Sequence, residues 1–600
     1  MVRETDKSHR KFAELEIGAI RKDWKGRIRV ALVYPNRYYV GMSNLGFQTV
    51  YHLLNQIDHV LCERSFLPEK NGCATDRITT IESGRSISDF DIIAFSLSFE
   101  NDYLNVLTIL ERAEIPLQSS RRKDTHPLIV AGGVACFLNP EPIADFIDCF
   151  LIGEAEAMLP RFFEVFLPEL LKTDRKSHLK DLAGNVPGVY VPCFYKTTYN
   201  VDGTICSFEP KCDVPDKIKR IFIEDISHIP TCSAILTPNT TFQRTFLIEV
   251  SRGCQHGCRF CTAGYIYRPP RFRSLYILKK CLEHGASLTD RIGLVGAAVS
   301  DHPGIVDLCR PVKQTNIRIS FSSLRANALS PELISALRQS KVKTATIAPD
   351  AGSERMRRII NKNITEEDIL EAAEALVLSG IPNLKLYFMI GLPTETADDV
   401  EEIIKLCVKI KQRFLKSSRI KKHIGQITVS LNPFVPKPFT PFQWVAMDDE
   451  RTLKKKIKRV KDGLKKVANI RVNAEIPRHA YIQALFSRGD RKVAKILSMA
   501  NHNYGNWAKT LKSTDLNPDF YALRDRALDE LLPWDFIDHG IRKTYLKTEY
   551  KKALQGKISE PCKVESCTIC GVCKKKGSAI AARLLLVFSC LVEQVLQMTY

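Results

Sequence analysis

Apolar and polar positions change period several times along the chain. Residues 27–35, RIRVALVYP, form a β-rich run. Residues 44–56, NLGFQTVYHLLNQ, repeat apolar side chains at helical spacing, with Asn44 placed to cap the helix. Residues 90–98, FDIIAFSLS, are nearly continuous apolar, the pattern of a strand covered on both faces. A helical stretch follows at 103–115, then two strands at 127–133 and 146–156, each running into a glycine turn. This alternation predicts an α/β fold with an N-terminal Rossmann-like open parallel sheet, within a domain spanning 1–185.

The segment 186–243 changes character. It predicts a hairpin, with a turn near Asn200–Gly203, and a connector rich in Pro and Thr. Strand–helix alternation then resumes, with candidate strands at 245–251, 292–300, 317–323, 343–350, 383–393 and 426–436. Six such units predict a central (β/α)6-type partial barrel over 244–445, with its chemistry at the C-terminal ends of the strands. Beyond 445 the pattern is helical and basic, to about residue 555. Leu453, Ile457, Val460, Leu464 and Val467 make one apolar stripe ringed by lysines. That stripe fits a packed helix with a solvated face, or one that faces RNA. A Cys-rich metal loop is assigned to 556–577 and an apolar C-terminal helix to 578–600. Arg583, Glu593 and Gln594 interrupt that helix, so it predicts a buried or partner-binding element and no membrane span. The polar N-terminal residues carry no apolar signal core, which predicts a cytoplasmic protein.

Composition narrows this picture in two ways. At 44% hydrophobic and 26% charged residues, the chain is globular and not disordered. Its net charge of +21 fits either a polyanionic partner, such as RNA or a ribonucleoprotein, or simple solubility. The 19 cysteines are an odd number in a chain without a signal, which favours metal or redox use over a disulfide framework. Cys149, Cys206 and Cys407 are isolated and predict small buried apolar side chains. Two groups stand apart.

The first group is SRGCQHGCRFCTAG, residues 251–264, directly after the first barrel strand. Cys254, Cys258 and Cys261 stand at C-x3-C-x2-C spacing in a glycine-rich loop. Three thiolates can bind three irons of a cubane cluster and leave the fourth open. A zinc site would instead need a remote fourth ligand or His256. The second group is CKVESCTICGVCKKK, in which Cys562, Cys567, Cys570 and Cys573 supply four thiolates in one short stretch. Either a [4Fe–4S] cluster or a structural zinc fits them. Lying far along the chain from the first group, they predict a separate site, with Lys574, Lys575 and Lys576 as adjoining positive charge.

The first loop, with Phe260 before its last cysteine, resembles the radical S-adenosylmethionine (SAM) superfamily. That resemblance implies a [4Fe–4S] cluster on the three cysteines and SAM on the open iron. It also implies reductive cleavage of SAM to a 5′-deoxyadenosyl radical, with a flavodoxin or ferredoxin as electron donor. It assigns no catalytic residue beyond the cluster. Relatives carry a Gly-Gly-Glu-like turn after the second strand. Here Gly296-Ala297-Ala298 has no acid, which implies a backbone contact. SFSSLRANAL resembles the methylthiotransferase-like branch and implies that Ser323 and Arg325 hold the SAM carboxylate or ribose. APDAGSERMRRIINK and YFMIGLPTET resemble later SAM-lining segments, with Gly391 near the adenine. NPFVPKPFTPFQW resembles the barrel-closing segment.

AGGVACFLNPEPIADFIDCFLIGEAEAM resembles the second half of cobalamin-binding domains. The Asp-x-His-x-x-Gly stretch that ligates cobalt is missing, and YPNRYYVGMSNLGFQ follows the first strand instead. Either cobalamin binds without a protein histidine or the domain has lost it. The whole chain resembles an uncharacterised radical SAM family with this domain order. The reaction implied is methyl transfer if cobalamin binds, or another hydrogen abstraction if it does not. The alternative is a non-catalytic RNA- or ribosome-binding iron–sulfur protein of the same fold.

Overall fold

The computed structural model describes residues 12–68, 77–169, 174–310, 317–322, 324–420, 425–564 and 567–573. Ser323, Lys574, Lys575, Lys576 and the expected helix 578–600 lie outside them. Among the described residues no helix is long and apolar enough to cross a membrane.

The N-terminal sheet contains β1 (Ile28–Arg37), β2 (Val60–Leu67), β3 (Ile92–Ser96), β4 (Leu128–Gly132), β5 (Cys149–Leu151) and β6 (Val189–Tyr190). Their order is β2-β1-β3-β4-β5-β6, parallel except for β6. Helices cover both faces, so Val30, Ala31, Leu32 and Val33 are all buried. Asn44 caps the helix Leu45–Gln56 by accepting from the Phe47 N–H at 2.9 Å. The β1/β3 boundary is the point where strand order reverses, and there the strand ends open a crevice.

The sequence pattern did not predict β2. Its residues Glu63 and Arg64 break the apolar run, yet both are buried. Arg64 is held between Glu16 and Glu82, each at 2.7 Å, and Glu63 accepts from Trp24 Nε1 at 2.9 Å. Charge pairing across the chain makes this strand burial tolerable.

The expected hairpin is β7 (Tyr195–Tyr199) and β8 (Ile205–Pro210). Cys206 on β8 is exposed, against expectation, because a two-stranded ribbon has an uncovered face. Cys149 and Cys407 are buried. A short strand β9 (Ile218–Lys219) pairs with Ile537–Asp538, so the C-terminal region returns to the connector.

The barrel begins with β10 (Phe246–Glu249). Two short strands, β11 (Ser251–Arg252) and β12 (Arg271–Phe272), follow and pair antiparallel. Then come β13 (Arg291–Val295), β14 (Arg318–Phe321), β15 (Thr344–Asp350), β16 (Asn383–Ile390), β17 (Ile427–Pro433) and β18 (Ile470–Ala474). β10-β13-β14 and β15-β16-β17-β18 are parallel runs, joined by a parallel bridge between Leu324 and Ile347. The barrel therefore has a seventh strand, β18, inside the stretch expected to be helical. β18 is a five-residue edge strand with Arg471 and Asn473 exposed, so its apolar signal is weak. The stripe helix Glu450–Leu464 buries Leu453, Ile457, Val460 and Leu464, and turns Lys454, Lys455 and Lys458 outward.

Two main apolar cores result. One fills the barrel. The other underlies the N-terminal sheet and also takes in Phe486, Trp534 and Phe536, which clamps the C-terminal region against the first domain.

Candidate functional site

The cysteine loop leaves the barrel after β10, and the β11–β12 pair closes its neck. Inside, the chain folds back on itself tightly. A Cβ on Gly264 would stand 2.6 Å from the His256 carbonyl oxygen, so only glycine fits there. The Gly257 carbonyl accepts from Asn361 Nδ2 and from the Tyr265 hydroxyl, both at 3.1 Å. Arg259, fully buried between two of the cysteines, donates to the carbonyls of Arg358 (3.0 Å), Ile359 (2.9 Å) and Lys557 (2.7 Å). Phe260 packs on the apolar cluster of Ile359 and Ile360.

These anchors gather the three thiols within electrostatic range of one another. Burial pushes Cys254 up to about 12 and Cys261 up to about 11, and each is raised further by the neighbouring Cys258 thiol. Burial also raises Cys258, against the opposing charges of Lys362 and Arg325 beside it. Among the described residues no three His, Cys, Asp or Glu side chains are already closed on an ion. The donor set nevertheless fits an iron–sulfur cluster. It has three soft ligands in one buried loop, with cations alongside to offset thiolate charge. His256, the candidate fourth zinc ligand, is engaged elsewhere: its Nε2 lies 2.6 Å from Asp301 Oδ2.

Parallel pairing brings the ends of the barrel strands to one rim. Gly296 directly follows β13, and its carbonyl accepts from Ser322 Oγ at 3.1 Å. Arg325 donates to Asn327 Oδ1 (2.8 Å) and to the carbonyls of Lys362 and Asn363, and reaches the Cys258 thiol. Gly391, in a left-handed conformation (φ +84°), directly follows β16 and packs beneath Leu453 and Asp448. Its N–H donates to Glu395 at 2.8 Å. Gly296 and Arg325 thus stand near the cysteine loop, while Gly391 is turned toward the stripe helix.

Three residues at this rim were not singled out from the sequence. Asp301 lies five residues beyond Gly296 and binds both His256 and Gln255 Nε2 (3.2 Å). Asp350 ends β15 in the left-handed region and pairs with Lys362. Asn361 ties the cysteine loop to the C-terminal segment, donating to Gly257 and accepting from the Ser559 N–H at 2.8 Å. Asp350 and Asn361 lie within APDAGSERMRRIINK, so their signal was that segment, whereas Asp301 had only its place in the turn beyond a strand end.

A cavity of about 800 Å³ opens between the two domains. One wall is the C-terminal edge of the N-terminal sheet, with Ser96, Ser98, Gly133 and Glu154. The other is the barrel rim, with Arg252 and Thr262, and Thr262 directly follows Cys261. Buried ion pairs fasten the walls. Glu154 binds Arg271 (2.6 Å) and Arg252 (2.9 Å), and Glu156 binds Arg252 at 2.8 Å. Glu249, at the end of β10, binds Arg252 at 2.8 Å and also pairs with Arg273.

The second cysteine group, far along the chain, is brought against the first. The Cys562 N–H donates to the Gln255 carbonyl at 2.8 Å, which docks the segment on the first cysteine loop.

Comparison with known proteins identifies the family. The family described as "Radical SAM proteins, N-terminal" matches residues 46–192, and "Radical SAM superfamily" matches residues 248–407. An uncharacterized protein of Methanocaldococcus jannaschii is 32% identical over 525 residues, covering 86% of this chain and 98% of that one. A tRNA-2-methylthio-N(6)-dimethylallyladenosine synthase of Chloroherpeton thalassium is 27% identical over 376 residues, 60% of this chain and 73% of that one. Among solved structures, the radical S-adenosylmethionine methyltransferase TsrM from Kitasatospora setae is similar at 13% identity. It covers 70% of this chain and 75% of that one, with a TM-score of 0.43.

Proposed function

The chain belongs to the radical SAM superfamily and is an enzyme whose cofactors are a [4Fe–4S] cluster and SAM, and from that premise we propose that it is a methyltransferase that also uses a cobalamin held between its two domains. Cys254, Cys258 and Cys261 would hold the cluster. When bound, the cluster and SAM supply a 5′-deoxyadenosyl radical after one-electron reduction by a donor such as flavodoxin or ferredoxin. Gly296 and Arg325 are the rim residues we assign to SAM, with Arg325 offering its guanidinium to the carboxylate.

One observation carries the cobalamin reading: the interdomain cavity runs from the strand ends of the N-terminal sheet to Thr262, next to a cluster ligand. Crevices at that edge of an open parallel sheet are where such folds take their ligands, and the volume is that of a cofactor-sized site. Ser96 and Ser98 offer hydroxyls to a polar rim. At Gly133 (φ +107°) a Cβ would meet the Leu97 carbonyl oxygen at 2.4 Å, so backbone packing requires glycine at this turn in the cavity wall. No histidine lines the cavity among the described residues, so cobalt would be bound without one. The ion pairs of Glu154 with Arg252 and Arg271 tie the two walls together.

Equilibrium dialysis against about 50 µM hydroxocobalamin, followed by the visible spectrum of the retained corrinoid, tests this. Near-stoichiometric retention, with a spectrum lacking imidazole ligation, is expected. No retention would reduce the first domain to a scaffold and remove the methyl-transfer reading.

A further inference from the structure

The radical SAM reading accounts for the loop at 254–261 and leaves four cysteines unused. Cys570 is buried, and Cys562, Cys567 and Cys573 are half-buried. The Cys562 thiol stands in electrostatic range of Cys567, Cys570 and Cys573.

Two arginines hold this segment in place. Arg542 Nη2 donates to the carbonyls of Thr568 (2.7 Å) and Ile569 (2.6 Å), and the Arg542 N–H donates to the Cys570 carbonyl at 2.9 Å. Arg268, almost fully buried, lies between the two cysteine groups. Its Nε donates to the Gly264 carbonyl at 2.6 Å, within the first loop. Its guanidinium also lies within electrostatic range of the Cys570 thiol and sits 5.2 Å and 5.3 Å from the ring centres of Tyr265 and Tyr545. The Cys562–Gln255 backbone bond makes a further tie, one residue from Cys254.

We propose that Cys562, Cys567, Cys570 and Cys573 bind a second [4Fe–4S] cluster, docked on the SAM-cluster loop, with Arg268 as the cation shared between the two sites. Four thiolates leave such a cluster with net negative charge, which a buried guanidinium offsets strongly at low dielectric. The C-x2-C-x2-C run, with three thiolates at successive short intervals, suits a cubane cluster. Structural zinc sites draw their ligand pairs from separated segments. Arg268 is a positioning residue here. It touches neither substrate nor SAM, and it fixes one cysteine group against the other.

The proposal rests on the radical SAM reading only for the first cluster, and the test separates the two. Anaerobically reconstituted full-length protein should hold roughly eight irons. The Cys254→Ala/Cys258→Ala/Cys261→Ala variant should keep roughly four of them. The Cys562→Ala/Cys570→Ala variant should also keep roughly four, and SAM should perturb the electron paramagnetic resonance spectrum of that variant alone. The reduced wild-type spectrum should show spin coupling beyond the sum of the two variants. Arg268→Ala should lower the potential of the second cluster, and Arg268→Lys should restore most of it. One zinc and almost no iron in the first variant would overturn the iron assignment. Two spectra that simply add would overturn the docking. Loss of all iron from the second variant, with its fold intact by circular dichroism, would instead undercut the first site.

Discussion

Glu154 Oε1 accepts from Arg271 Nη2 at 2.6 Å, and this pair joins the last parallel strand of the first domain to the neck of the cysteine loop. The carboxylate side chain is 3% exposed and also meets Arg252 at 2.9 Å and Arg220 at 3.7 Å. Burial pushes its pKa up, but the Arg271 hydrogen bonds and the surrounding guanidinium charges outweigh that and hold it below the usual range. Removing the charge would leave buried cations without a partner. Glu154→Gln is expected to cost about 3–5 kcal/mol, read from the urea unfolding midpoint. A loss below about 0.5 kcal/mol would show that the cations re-pair elsewhere.

Glu249 sets an acid limit on the barrel neck that carries Arg252. Burial raises its pKa, while Arg252 and Arg273 pull it further the other way, to about 2. A depressed carboxylate contributes stability that is complete above its unfolded value, about 4.3. That contribution is lost as pH falls from there toward about 2. Melting temperatures between neutral and acid pH should therefore fall more steeply for wild type than for Glu249→Gln. Parallel profiles would exclude Glu249 as the source.

Gly264→Ala forces a methyl group against the His256 carbonyl oxygen, 2.6 Å away. The chain between Cys254 and Cys261 must shift, and the three thiols with it. Reconstituted protein should lose most of the iron of the first site while its circular dichroism stays native. Full iron loading would mean that the loop has slack.

Arg325→Ala removes a guanidinium bonded to the Lys362 and Asn363 carbonyls beside Cys258. SAM binding should weaken about ten- to hundredfold, the range for one charged hydrogen bond. Iron content should hold. Calorimetry showing unchanged affinity would leave Arg325 with the bracing of residues 361–363 alone.

Leu453 is fully buried in the stripe helix, whereas Lys455 is exposed. Leu453→Ala should destabilise by about 2–5 kcal/mol, and Lys455→Ala by less than about 0.5 kcal/mol. Equal effects in thermal unfolding would show that the basic face is not merely solvated.

Local pattern carried much of the architecture. The strands β1, β3 and β4 were legible because burial on both faces demands unbroken apolar runs such as IIAFS. The stripe of Leu453, Ile457, Val460 and Leu464 was legible because one helical face meets the core. The first cysteine group was legible because its three thiols stand in one loop, at fixed spacing.

Tertiary structure decided the rest. Strand β2 was hidden because Arg64 is neutralised by Glu16 and Glu82, 48 and 18 positions away. β18 was hidden because an edge strand buries too little to impose a pattern. The pairing of Asp301 with His256, the cation at Arg268 and the bond from Cys562 to Gln255 join positions from tens to hundreds of residues apart. A sequence states which chemistry each segment can offer, since period and ligand spacing act within a few turns of chain. Which segments meet is settled by the burial of whole faces, and that free energy belongs to the packed assembly of all of them.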